Sequence, residues 1–246
     1  MFRLSCILLA TFVVLLFVKE QFSPVNAQEK SSTVAEFKFI IKKKPVLSLY
    51  VVIFLIQFAV MGVNPLLSLF VEELTSPTTV AVYAGLAISV MGFANMLTSP
   101  QLGKLSDKKG AQHVLIYSML GVALFSILQA FVTDIWQLIC LRFLIGLCLG
   151  RVLPAVNTLI RLHAPEGMES RTYGFSNSAM YLGTMLGPIL GGLVVSGVGN
   201  KGLFFVCALV LLINVMIVKI KVLPNANEVF YKEKSRKEAD NAASHP

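Results

Sequence analysis

Charge is scarce in this sequence. Only 14% of its 246 residues are Asp, Glu, Lys or Arg, where a soluble globular chain carries roughly 25%. The acidic side is the poorer one, with 13 carboxylates against 21 basic groups, and no carboxylate falls inside an apolar run. Proton relays across membranes usually use an intramembrane Asp, Glu or His. His113 stands at the edge of an apolar run, while His163 and His245 lie outside such runs. The four cysteines, Cys6, Cys140, Cys148 and Cys207, all sit in apolar stretches, which argues against a disulfide framework. Gly103-Lys104-Leu105-Ser106 lacks the glycine spacing of a Walker A loop. Neither His-Glu-x-x-His nor a zinc-binding Cys/His spacing occurs. No enzyme, cofactor or metal site is therefore expected.

What is abundant is hydrophobic residues, at 56%, with a mean hydropathy of +0.76. Disorder and collagen are excluded by that composition. A membrane-spanning helix needs about 20 apolar residues, and six stretches qualify: 46–70, 79–99, 113–132, 136–160, 173–196 and 202–222. A seventh, 4–18, is short. The expected organisation is a short leading transmembrane segment over 1–18, a polar loop over 19–45, a six-helix unit over 46–222 and a charged tail over 223–246. The partner implied for all of the apolar surface is a lipid bilayer.

The net charge of +8 would suit nucleic acid, but its distribution indicates topology instead. Seventeen of the 21 basic residues fall in 19–45, 100–112, 161–172 and the stretch from Lys219 to Lys237. These segments alternate along the chain, so they share one side. The intervening loops hold Lys201 alone, beside Glu72, Glu73 and Asp134. The positive-inside rule places the basic side in the cytoplasm. The expectation is a multi-pass protein of the cell (inner) membrane, N-terminus outside and C-terminus cytoplasmic, with no nucleic-acid partner. A cleaved signal peptide is the competing reading of 1–27, with Arg3, the apolar 4–18 and Val25-Asn26-Ala27 as its parts. It would carry Lys42, Lys43 and Lys44 outside the cell, against the charge bias.

Loop 100–112 reads Gly103-Lys104-Leu105-Ser106-Asp107-Lys108-Lys109-Gly110. It resembles the signature loop G-x-L-x-D-R-x-G of the major facilitator superfamily, which links the second and third helices of each six-helix half. Gly103, Asp107, Lys108 and Gly110 carry the resemblance. Two more elements follow in family order. Arg142 and Gly146 resemble the R-x-x-x-G motif of a half's fourth helix. Gly183, Gly187, Pro188, Gly191 and Gly192 resemble the G-x-x-x-G-P-x-x-G-G stretch of drug–proton antiporters. Read from spacing alone, Gly183, Gly187 and Gly191 form a flat face suited to close helix packing.

That Gly-Pro stretch is best known from N-terminal halves. The exit sequence Val18-Lys19-Glu20-Gln21-Phe22-Ser23-Pro24, the stretches 64–74 and 153–157, and Ala111-Gln112 closing the loop look instead like a C-terminal half. Residues 1–18 would then be a clipped sixth helix. The resemblance implies an all-α polytopic fold and a parent activity of multidrug export driven by proton influx. It also implies that the first, second, fourth and fifth helices of the half line a cavity for a hydrophobic small molecule. On those helices, Gln57, Met61, Asn64, Ser89, Asn95, Arg151, Asn157, Asn177 and Tyr181 are the candidate lining residues. Each amide can equally bridge neighbouring helices. Arg151 departs from the small residue common there in the family, and reads either as an attractor of anionic groups or as a lesion. Three functional readings stay open: a truncated half, a half working as a dimer or with a separate N-terminal half, and a non-transporting receptor or assembly factor.

Overall fold

The computed structural model describes residues 33–99, 110–165, 167–224 and 226. The chain divides into Met1–Glu36 and Phe37–Pro246. Of the first unit only residues 33–36, the opening of a helix, are described. The expected segment 1–18 and most of the 223–246 tail lie outside the described residues, as do Gly103, Asp107 and Lys108 of the signature loop.

Among the described residues the elements are all helical. They are α1 (Thr33–Lys42), α2 (Lys44–Val63), α3 (Leu67–Leu74), α4 (Val80–Thr98), α5 (Ala111–Gln129), α6 (Ile135–His163) and α7 (Glu169–Ile217), closed by a π-helical turn over Val218–Val222. The chain is an all-α polytopic membrane protein. Helix α1 corrects one expectation, since it occupies part of the 19–45 segment read as loop. Its residue Ile40 is fully buried and packs with Val46 and Tyr50.

Among the described residues, five helical runs are long and apolar enough to cross a membrane. The first, Pro45–Leu74, joins α2 and α3 through a turn at Asn64-Pro65-Leu66. Proline restricts the residue before it and cannot extend the ladder of hydrogen bonds. The last run, Glu169–Val222, has 54 residues. At 1.5 Å per residue that is about 80 Å, more than twice the roughly 30 Å hydrocarbon thickness. It is broken at Gly199, whose backbone (φ 74°, ψ 178°) no helix contains. The run therefore comprises two arms, 169–198 and 200–217.

The contacts show that the arms run in opposite directions. On the first arm, Gly183 meets Phe54 and Gly191 meets Gly62, so it runs parallel to α2. On the second, the Cys207 thiol donates to the Ala59 carbonyl at 3.4 Å and Asn214 Nδ2 donates to the Val52 carbonyl at 3.0 Å. That order is antiparallel. Helix α2 is thus gripped by both arms.

The connections alternate between two ends of the bundle. At one, Asn200 donates to Glu73 Oε1 at 2.7 Å, Tyr83 meets Trp136 edge-on and Phe131 meets Phe205. Asp134 caps α6 there by accepting from the Trp136 amide at 3.0 Å. At the other, the Tyr50 hydroxyl donates to the Thr172 carbonyl at 3.0 Å and the Tyr173 hydroxyl to the Asn157 carbonyl at 2.9 Å. The basic segment 161–172 belongs to this second end.

Candidate functional site

Two glycine contacts set the positions of the polar side chains. In the first, Gly183, Gly187 and Gly191 bring the first arm of α7 against the backbone of α2. A methyl group added at Gly187 would lie 2.8 Å from the Phe58 carbonyl oxygen, and one at Gly191 2.7 Å from that of Gly62. Gly62 faces Gly187 in return. In the second, Gly146 and Gly150 press α6 against α4, where added methyls would run into the carbonyls of Met91 and Asn95. Membrane helices are not driven together by the hydrophobic effect, so such close backbone approach is the main source of their cohesion. Gly192, by contrast, has nothing near its missing Cβ. Pro188 lies within the first arm.

Arg142 stands four residues before Gly146, on α6, and only 2% of its surface is exposed. Its Nη1 donates to Asn64 Oδ1 at 3.2 Å and lies 3.8 Å from the Met91 sulfur. Its Nε and Nη2 are buried and have no hydrogen-bond partner. A charged side chain deep in a helix bundle costs at least about 2.5–3.5 kcal/mol unless it finds a partner or a polar cavity. Asn64 is placed for this role by the turn at the end of α2. The pair joins residues 78 positions apart.

The candidate lining residues do not gather in one place. Gln57 and Met61 border the glycine contact with α7, with Gln57 Cβ 3.1 Å from the position of a methyl on Gly183. Asn64 turns to Arg142 instead. Asn95 offers its backbone carbonyl to Gly150. Arg151 is half-buried with its Nε unpartnered. Ser89, Asn157, Asn177 and Tyr181 are exposed on the outside of this half, Tyr181 by 65%. Helix α4 is the most open of the spans, with 17% of its apolar window buried against 44–56% for the others. Of the signature loop only Gly110 is described; it takes a positive φ of 79° immediately before α5.

Sequence reasoning passed over Gln129 and Asn214, and weighed Cys207 only against a disulfide framework. All three are buried, and Asn214 is completely enclosed. A lone amide in an otherwise apolar run was the available signal, since membrane interiors tolerate such groups only when bonded across helices.

A sequence profile of the Major Facilitator Superfamily matches residues 49–243. The chain belongs to the Major Facilitator Superfamily. Among curated proteins it is similar to Multidrug resistance protein MdtG of Serratia proteamaculans, 37% identical over 210 residues, covering 85% of this chain and 51% of that protein. The protein of the same name from Escherichia fergusonii is 36% identical, covering 86% of this chain and 52% of the relative. That from Proteus mirabilis is 33% identical, covering 87% and 54%. The chain spans about half the length of the curated relatives it matches. A Major Facilitator chain is expected to act as a transporter rather than as an enzyme.

Proposed function

We propose that this chain is the C-terminal six-helix half of a bacterial multidrug exporter, and that it moves hydrophobic compounds out of the cell together with a second six-helix half. The observation that carries this reading is the match itself: 85% of this chain aligns with about half of proteins named for multidrug resistance. Secondary transporters built from repeats bind substrate near the bilayer midplane between the repeats. Here Ser89, Asn157, Asn177 and Tyr181 lie on the open surface of α4, α6 and α7, where a second half would turn their surface into a wall. Neutral amides beside an aromatic ring suit an apolar, weakly polar guest. Export is coupled to proton influx, with the titrating carboxylate supplied by the other half, because this chain's carboxylates stand at the ends of its apolar runs or outside them.

The protein resides in the inner membrane with the 161–172 end in the cytoplasm, by its basic charge. Single cysteines in a cysteine-free background report the sidedness. A cysteine at position 170 should be labelled only from the cytoplasmic side, and cysteines at 76 and 133 only from outside; the reverse pattern would overturn the orientation.

The decisive experiment measures efflux of a lipophilic dye from drug-sensitive cells carrying this chain alone, a separately expressed N-terminal half alone, or both. Gradient-dependent efflux is expected only with both. Efflux from this chain alone, together with a crosslinked pair of copies, would favour a homodimer; dye binding without any gradient-dependent flux would favour a receptor.

A further inference from the structure

Between α2, α4, α5, α6 and the second arm of α7 lies a partly open cavity of about 20 Å³. Its apolar wall is interrupted by Asn64, Ser126, Gln129, Arg142 and Cys207. The polar atoms around it are unbalanced. Arg142 Nε and Nη2 are buried donors without acceptors, and so is Gln129 Nε2. Gln129 is 1% exposed and Arg142 2%. The acceptors that Arg142 does have are one neutral amide oxygen and one thioether sulfur. The Cys207 thiol gives its hydrogen to Ala59 and so adds no negative charge. A guanidinium has five N–H donors and no acceptor, and a buried charge is normally paired. Among the described residues that line it, this cavity has surplus donors, a full positive charge and no neutralising group.

We propose that the cavity binds a monovalent inorganic anion of about the size of chloride, held by the Arg142 guanidinium and the Gln129 amide. Size selects the guest: pockets for drug-sized molecules measure roughly 300–1,000 Å³, whereas this one has room for about one water-sized particle. A water molecule would accept two hydrogen bonds but would leave the charge uncompensated. The anion would bridge α5 and α6 at the point where Asn64 already ties α6 to α2. The site is independent of what the assembled protein carries, so its test uses no transport measurement.

The test uses the full chain purified in detergent. Thermal unfolding is followed while gluconate is exchanged for chloride or bromide at constant ionic strength. A saturable rise in melting temperature of a few degrees is expected with both halides, and Gln129→Leu should raise the half-saturating chloride concentration about tenfold, the loss of roughly one charge-assisted hydrogen bond. Diffraction from crystals grown in bromide needs no variant: an anomalous peak is expected within hydrogen-bonding reach of Arg142 and Gln129. Equal melting in gluconate and halide, or a bromide-free cavity holding only water, would overturn the proposal.

Discussion

At the residue scale the glycines divide into those that touch backbone and those that do not, and the division sets their cost of substitution. Gly183→Ala drives a methyl into the Phe54 carbonyl. We expect a loss of about 1–3 kcal/mol, the usual range for overpacking a rigid contact. Gly192→Ala, nine residues along the same helix with open space at its Cβ, should stay within about 0.5 kcal/mol. Thermal unfolding of the two variants in the same detergent checks the contrast, and similar values would sink it. Asn214→Leu removes the bond to the Val52 carbonyl but also an unpaired amide oxygen. The expected loss is about 0.6 kcal/mol, typical of hydrogen bonds between membrane helices, measurable by the same melts.

The glycine face was legible in the sequence because a four-residue period is a local property of a helix. The Arg142–Asn64 pair was not. Both residues attracted notice singly, but their meeting depends on how α2 and α6 cross, which no local pattern encodes. Gln129 was missed for a related reason. It stands near the end of an apolar run, where an amide could as well face lipid headgroups; its burial beside the cavity that Arg142 also lines follows only from packing.

At the scale of elements, the apolar runs announced the spans to within a few residues, since bilayer thickness fixes their length. The ends were less visible. Helix α6 continues to His163, beyond the expected 160, because Arg161 and His163 favour a helix C-terminus and Leu159 remains fully buried. Helix α1 was hidden by the lysines around it, which made 19–45 read as loop although Phe37 and Ile40 are three residues apart, on one helical face. The reversal in α7 depends on Gly199. Its positive φ with extended ψ is nearly exclusive to glycine, so Gly199→Ala should cost about 1–3 kcal/mol. Gly197→Ala, at a position with a helical backbone and nothing near its Cβ, is the control and should be close to neutral by the same melting measurement. Equal losses would mean that the reversal does not need glycine.

At the scale of the whole molecule, the openness of α4 separates this unit from one that is closed on itself. Its side chains Val82, Phe93 and Met96 are more than half exposed, in addition to the polar Ser89. If α4 meets a second half as proposed, Phe93→Cys should crosslink to that half when both are expressed, and Tyr117→Cys on α5 should not. Gel shift after oxidation reads the outcome; crosslinks from position 117 alone would place the partner on another face.

The grip of both α7 arms on α2 also has a consequence for biogenesis. The bond from Asn214 to Val52 spans 162 residues and that from Cys207 to Ala59 spans 148. Translation at 5–20 residues per second separates these partners by about 10–30 seconds. For that interval α2 stands in the membrane with its face at Val52 and Ala59 uncovered, able to meet lipid, a chaperone or a neighbouring copy. The second arm of α7 therefore completes the seat of α2, and a chain stalled before residue 207 would leave that seat open to the proteases that survey unfinished membrane proteins.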